Sequence, residues 1–196
     1  IIAAVDLVLG PLITFVIFDW SKKRREILFD LSIIVVIQIG ALVYGVATTY
    51  GQRPVAIVLS GDFFSSVLER DFGSQLGSMS ELEKYSTDKP PIIWSHIPLD
   101  RAALDEVLKI KTRDNIIEYA QVQLYQPAEK LLVALQQRQI NTLTILALSG
   151  AQQRYDEWLE QNQKTPDEVL LGVFKGRYGQ IWLVFDSTAK YIGHFS

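Results

Sequence analysis

The sequence predicts an α+β protein in two parts: a transmembrane helical hairpin over residues 1–50, then a mixed α+β domain over 51–196 that closes in an antiparallel β meander. Three observations lead there. Two apolar stretches of 20 residues, 1–20 and 31–50, flank a short charged segment. Each stretch is long enough for about 30 Å of helix, one hydrocarbon core. The segment between them, 21–30, holds Lys22, Lys23, Arg24 and Arg25 in a row. Beyond Tyr50 the pattern changes to short strand-like and helix-like runs separated by Gly, Pro and Asp, as in a soluble fold.

The basic run is the topology determinant. Lys and Arg concentrate in loops that stay in the cytoplasm, so the loop 21–30 is expected there. Both outer ends of the hairpin, and all of 51–196, then face the other side. The first stretch lacks the basic start and small-residue cleavage site of a signal peptide, and its charges follow it. It reads as a true span. The chain begins at Ile1 rather than Met. A first span entered from outside implies an outside N-terminus or a further span upstream.

Within the hairpin several residues are candidate helix contacts. Gly10-Pro11 interrupts the first span, which a bilayer tolerates when neighbours satisfy the freed backbone groups. Ala41 and Gly45 form a small-xxx-small face on the second span, continued by Thr49. In an antiparallel hairpin Gly10 lies at the depth of Gly40 and Ala41, and Thr14 at the depth of Gln38. Asp6 is the costly residue: an ionisable group at the centre of a span costs ~3 kcal/mol on insertion scales. It either meets a partner, Tyr44 or Thr48 in the hairpin or a polar group on another helix, or reaches headgroup water. Trp20, Phe18, Tyr44 and Tyr50 fit interfacial aromatic belts.

In the soluble part, Val55–Leu59 is β-rich and Ser60-Gly61-Asp62 is a turn. Phe63–Leu68 fits a strand or a helix, because short apolar runs do not fix the period. A loop over 73–80 leads to a short helix opened by a capping box, Ser80-Glu81-Leu82-Glu83. Asp88-Lys89-Pro90-Pro91 ends it, and 92–97 is extended. Residues 99–113 suit a helix with Leu104, Val107, Leu108 and the Lys111 stem on one face. Pro127 opens the next, with Leu131, Leu132 and Leu135 inward. Thr142–Leu148, apolar and β-branched, reads as a strand. Residues 151–163 return to helix with Tyr155, Trp158 and Leu159 together. Thr165-Pro166-Asp167-Glu168 is a capped helical turn. Strands at 169–175, 180–185 and 190–195, joined by turns at 176–179 and 186–189, make the closing meander.

Composition narrows the chemistry. The first 50 residues sum to zero charge, so 51–196 carries the whole net charge of −3. A faintly acidic domain is a poor partner for nucleic acid, which needs clustered Lys and Arg. With no cysteine, disulfides, thiolate metal sites and cysteine nucleophiles are excluded. His96 and His194 have no His-x-x-x-His spacing and no orienting third group, so they read as strand or edge residues rather than general bases. Ser60-Gly61 and Ser149-Gly150 lack the Gly two residues before the Ser that a nucleophile elbow needs. Asp105-Glu106 and Asp167-Glu168 read as helix-surface or cap acids. No Gly-rich phosphate loop occurs. No catalytic residue, cofactor or metal site is therefore expected.

The run Val5-Asp6-Leu7-Val8-Leu9-Gly10-Pro11-Leu12-Ile13-Thr14 is the most distinctive string in the chain. With the basic loop, Phe29-Asp30-Leu31, Gln38, Tyr44-Gly45 and Gln52-Arg53-Pro54-Val55, it resembles the TfpX/TfpZ family of bacterial type IV pilin accessory proteins. The resemblance is strong over residues 5–58 and returns at Leu171–Phe185. It implies a bacterial inner-membrane protein with a periplasmic domain, chaperone-like toward one major type IV pilin, touching that pilin's membrane helix or head domain, and membrane lipid. It transfers no catalytic residue. An alternative reading is a periplasmic ligand-binding or sensory module anchored in the membrane; a deep polar pocket would favour it. A membrane-bound hydrolase is a third class, for which a Ser or Asp bonded to His96 would speak.

Overall fold

The structure is a computed structural model, described here for residues 23–176 and 179–196. The chain divides into two compact units after Gln52. The first expected span, 1–20, lies outside the described residues.

Among the described residues of the first unit, one helix, α1, runs Arg24–Gly51. Its 28 residues rise about 42 Å, more than the ~30 Å of a hydrocarbon core. An 18-residue window reaches a mean hydropathy of 2.3, so α1 is long and apolar enough to cross a membrane. It begins earlier than the expected span at Leu31. The segment 21–30 is helix from Arg24, not loop. Backbone hydrogen bonding does not stop where the apolar composition stops, and only the water-facing turn changes character.

The second unit is built on one six-stranded sheet. Its strands are β1 (Pro54–Ser60), β2 (Phe63–Leu68), β3 (Ile92–Ser95), β4 (Val169–Gly176), β5 (Gly179–Asp186) and β6 (Tyr191–Phe195). The spatial order is β3-β1-β2-β4-β5-β6. The pairs β1–β2, β4–β5 and β5–β6 are antiparallel, so the closing meander is present. The pairs β1–β3 and β2–β4 are parallel. Phe63–Leu68 resolves as a strand because its hairpin partner β1 supplies the ladder.

Three helices complete the unit: α2 (Arg101–Asp114), α3 (Lys130–Ser149) and α4 (Gln152–Gln161). Asp100 caps α2 by accepting from Ala103 N at 3.0 Å. Val107 is buried and Leu104 half-buried, but Leu108 is 45% exposed and Ile110 half-buried in its place. The inward face is thus rotated from the expected one. The short 3₁₀ helix Met79–Lys84 does have a capping box, but it starts two residues early, on Ser78 and Glu81.

The expected strand at Thr142–Leu148 is wrong. Those residues are the last two turns of α3. No Gly or Pro interrupts Lys130–Ser149, and Leu131, Ala134, Leu135, Thr142 and Leu146 are buried on one helical stripe. The period over the whole segment outweighs the β-branched composition of its end. Pro127 sits one turn before α3, its carbonyl accepting from Lys130 N at 3.0 Å. Gly150, at φ +70°, ends the helix where a side chain would be strained.

The core lies on both faces of the sheet. Trp182 and Val184 of β5 join Leu171, Val173, Tyr155, Trp158 and Phe195 on one face. Leu183 and Phe185 join Leu59, Phe64 and Trp94 on the other. Helix α3 contributes to both: Leu131, Ala134 and Leu135 to the second cluster, Leu146 to the first. It can do so because β2 and β4 pair only at Phe63–Val173 and Phe64–Phe174. Where those strands part, α3 passes from one face to the other.

Candidate functional site

The residues singled out for membrane contact fall into two groups. Asp6, Gly10, Pro11 and Lys22 lie outside the described residues. Gln38, Ala41, Tyr44 and Gly45 are on α1. Gln38, Ala41, Gly45 and Thr49, spaced three, four and four apart, share one face of the helix. Tyr44 does not: it is one residue from Gly45, about 100° around, and is 75% exposed. A Cβ added at Gly40 or Gly45 would meet nothing within 4 Å, so among the described residues this small-residue face is open.

Two hydroxyls on α1 are satisfied within the helix. Thr49 Oγ1 donates to Gly45 O at 2.9 Å and Ser32 Oγ to Leu28 O at 2.7 Å. A hydrocarbon environment requires that. At its start Lys23 occupies the cap position with no side-chain capping bond. Arg24 and Arg25 follow in the first turn, where the positive end of the helix dipole disfavours cations. Glu26 alone opposes them. The basic run therefore costs helix stability, which fits a role outside the helix.

In the second unit the residues considered for chemistry serve the fold. Ser149 Oγ donates to Leu146 O at 2.8 Å, closing the end of α3. Gly61 follows Ser60 in the β1–β2 turn at φ +61°. Glu168 accepts from Thr165 N at 2.8 Å and Thr165 Oγ1 at 3.0 Å, and these bonds hold its carboxyl below the usual range. Glu106 pairs with Lys109 at 3.5 Å on the exposed side of α2. His96 is exposed with its ring against Trp94. His194 is exposed, its Nδ1 2.8 Å from the Tyr191 hydroxyl. Among the described residues no three His, Asp or Glu side chains are grouped to hold a metal.

Open hollows among the described residues include these two. One, of about 580 Å³, is lined by Val55, Met79, Glu83, Ser86, Asp88 and Pro90 among others. Its buried hydroxyl, Ser86 Oγ, already donates to Asp88 Oδ2 and accepts from Asp88 N and Ile92 N, each at 3.2 Å. The other, about 750 Å³, includes Gln75, Ile110, Arg113 and Ile116. The Gln75 amide donates to Phe72 O and Ala120 O and accepts from Val122 N. Arg113 is engaged by Asp114 at 2.8 Å. Ser86 and Gln75 thus tie loop backbone together, and Arg113 is held by its own neighbour at the end of α2.

Arg138 was not singled out by sequence. It is the one ionisable residue of α3 after Lys130. Its Nε donates to Gly61 O, its Nη1 to Ala134 O at 2.9 Å, and its guanidinium carbon lies 5.6 Å from the Trp94 ring centre. Burial lowers its pKa and the Asp62 charge partly restores it. The signal available in sequence was a lone charge in a helix uncharged after its first residue.

Comparison with known proteins adds a partial match. The chain is 39% identical over 62 residues to "Fimbrial assembly protein, serogroups C1 and C2" of Dichelobacter nodosus. It is equally similar, over the same length, to the serogroup E1 and serogroup I fimbrial assembly proteins of that organism. The aligned residues are 32% of this chain, 47% of the first relative and 24% of each of the others. The chain thus spans less than half the length of the curated relatives it matches. No family model and no solved structure matches it.

Proposed function

We propose that this protein is a bacterial inner-membrane accessory factor for type IV pilus assembly, acting on a cognate pilin by non-catalytic contacts. The observation that carries the reading is the 39% identity to three fimbrial assembly proteins. The motif at residues 5–14 and the TfpX/TfpZ resemblance give it its finer form, a chaperone-like helper of the major pilin. The length and apolar composition of α1 support a membrane location. The basic run at 22–25 supports a cytoplasmic position for the start of α1, and with it a periplasmic place for the domain 51–196.

On this reading Asp6, Gly10 and Pro11 meet the pilin's membrane helix together with the Gln38, Ala41 and Gly45 face of α1, while the domain meets the pilin head. Close backbone approach at small residues and interhelical hydrogen bonds are what hold helices together in lipid. A sensory module would need a pocket with polar groups free for a ligand, whereas Ser86, Asp88, Gln75 and Arg113 in the two hollows are bonded within the domain. Photoreactive residues placed at positions 6, 41 and 108 in cells test the proposal. Capture of pilin supports it; absence of pilin from every adduct in cells that make pili overturns it.

A further inference from the structure

The cations that lead into α1 have no partner in the protein. Lys23, Arg24 and Arg25 are exposed. Arg70–Asp71, Lys109–Glu106, Lys111–Glu118 and Arg113–Asp114 are ion pairs of the second unit, and among the described residues no carboxylate pairs with Lys23, Arg24 or Arg25. Successive helical residues point about 100° apart. The three therefore form a collar covering about 200° of the circumference, not a stripe. A protein lying against one face of a helix is met by charges three or four residues apart. A collar meets what surrounds a helix on most sides, and for a membrane helix that is the ring of lipid headgroups. The level fits as well. Leu28 and Phe29 are 63% and 67% exposed, so apolar surface begins within one turn of the cations. α1 is about 12 Å longer than a hydrocarbon core. With Tyr50 in the far interfacial belt, that excess falls at the Arg24 end, and long basic side chains span the distance to the phosphates.

We infer that Lys22, Lys23, Arg24 and Arg25 bind the headgroups of anionic phospholipid, an inference that rests on the membrane location proposed above. The guanidinium fork matches a phosphodiester with two parallel hydrogen bonds. A phosphate that carries an ammonium, as in phosphatidylcholine, sets like charge against the neighbouring cations. A phosphodiester of a neutral alcohol, as in phosphatidylglycerol, does not. Four cations stand here against Glu26 and Asp30, and a cluster of four at the end of a span is enough to gather anionic lipid. The bound anions also offset the repulsion among adjacent cations and between them and the positive end of the helix dipole. The run then does more than set orientation: it selects the lipid around the protein.

Tryptophan quenching by brominated lipid tests this. Trp94, Trp158 and Trp182 are buried in the second unit, so lipid quenching reads Trp20, two residues before Lys22. The full chain is reconstituted in phosphatidylcholine vesicles containing phosphatidylglycerol, with one lipid or the other brominated near the headgroup end of its chains. Competition between the two should give phosphatidylglycerol a relative affinity at least about five-fold above phosphatidylcholine. Changing Lys22→Gln, Lys23→Gln, Arg24→Gln and Arg25→Gln together should bring the ratio to about one. Changing Lys89→Gln, Arg101→Gln, Arg154→Gln and Lys164→Gln together removes the same charge from the second unit and should leave the ratio as in wild type. Equal quenching by the two lipids in wild type overturns the inference and leaves the span standing. A preference that survives in the first quadruple variant overturns it too. So does a preference abolished by inorganic phosphate but not by chloride at matched ionic strength, which means a site for a free anion. No quenching by either lipid overturns the membrane location, and the inference with it.

Discussion

The side-chain oxygen of Gln139 accepts the backbone N–H of Leu171 at 3.1 Å. The two residues belong to elements with no sequence neighbourhood, α3 and β4. Leu171 lies on the part of β4 that has no β2 partner, so its N–H would otherwise be unsatisfied beside a buried side chain. Gln139 takes the place of a missing strand. It sits between Leu135 and Leu146, which belong to opposite core clusters, at the point where α3 crosses the sheet.

Gln139→Leu should therefore destabilise the second unit by about 1–3 kcal/mol, the cost of orphaning a buried N–H. Gln139→Glu keeps an acceptor and should cost less. Chemical denaturation of the full chain in detergent, followed by Trp fluorescence, checks the order. Equal losses from both variants would mean that the amide N–H₂, not the oxygen, matters.

Gly193 of β6 lies under Trp158: a Cβ there would approach Trp158 Cζ2 to 2.9 Å. Gly193→Ala should push α4 off the sheet and cost roughly 1–3 kcal/mol, as overpacking does. The same change at Gly61 meets no neighbour but sits at φ +61°, so its smaller loss is backbone strain. A lower melting temperature for Gly193→Ala than for Gly61→Ala is the expected result.

Acid should loosen the closing meander. Asp186 Oδ1 accepts from Thr188 N at 2.8 Å, Thr188 Oγ1 at 2.6 Å and Lys190 N at 3.0 Å. Burial raises its pKa, but these bonds and the Lys190 charge lower it more, leaving it below its ordinary 3.8. Glu168 is likewise held below 4.5 by Thr165. A carboxylate with a depressed folded pKa contributes stability that is complete above its unfolded pKa and is lost as pH falls through the folded one. Melting temperature should drop below about pH 4, and Asp186→Asn should flatten that drop. Parallel curves for wild type and variant would assign the acid sensitivity elsewhere.

Topology is testable without any pilus. Reporter fusions after Trp20 should signal cytoplasm, and fusions after Gln52 or at Gly150 should signal periplasm. A cytoplasmic signal at Gly150 would reverse the orientation argued from Lys22 to Arg25.

His96→Ala and His194→Ala should leave pilus number near wild type, since the exposed His96 ring lies against Trp94 and the exposed His194 ring bonds the Tyr191 hydroxyl. Pilus counts at matched protein abundance decide it. Loss of pili in either folded variant would point to chemistry after all.

The closing meander, the α4 face of Tyr155, Trp158 and Leu159, and the cap at Thr165 were readable because local chemistry decided them: turn residues, a 3.6 period, a capping box. The C-terminal half of α3 was not. Ile145, Leu146 and Leu148 suit either period over seven residues, and only the uninterrupted run from Lys130 separates them. Nor were the parallel pairs β1–β3 and β2–β4 readable, because they join segments far apart in the chain and no local signal encodes that. On α1 the spacing of Ala41, Gly45 and Thr49 follows directly from the sequence, whereas the partner of Asp6, Tyr44 or another group, lies beyond what the described residues hold.

The crossing of the sheet by α3 also sets an order of events. Phe63 of β2 and Val173 of β4 pair across about 110 residues of chain. The sheet is incomplete, and Trp94, Phe64 and Leu135 lack the Leu183 and Phe185 side of their cluster, until the final thirty residues arrive. A nascent chain that has emerged only as far as Gly150 holds an open half-sheet, with the first half of α3 packed on Leu59, Phe64 and Trp94 and its last turns, at Leu146, still without their strand partners. Contacts of such range form slowly and leave apolar surface waiting. Deleting β5 and β6 would take Trp182, Leu183, Val184 and Phe185 out of two core clusters rather than trim an edge, whereas the third cluster, around Val58, Phe72, Ile93 and Tyr125, lies wholly within the first half of the domain and would keep all its members.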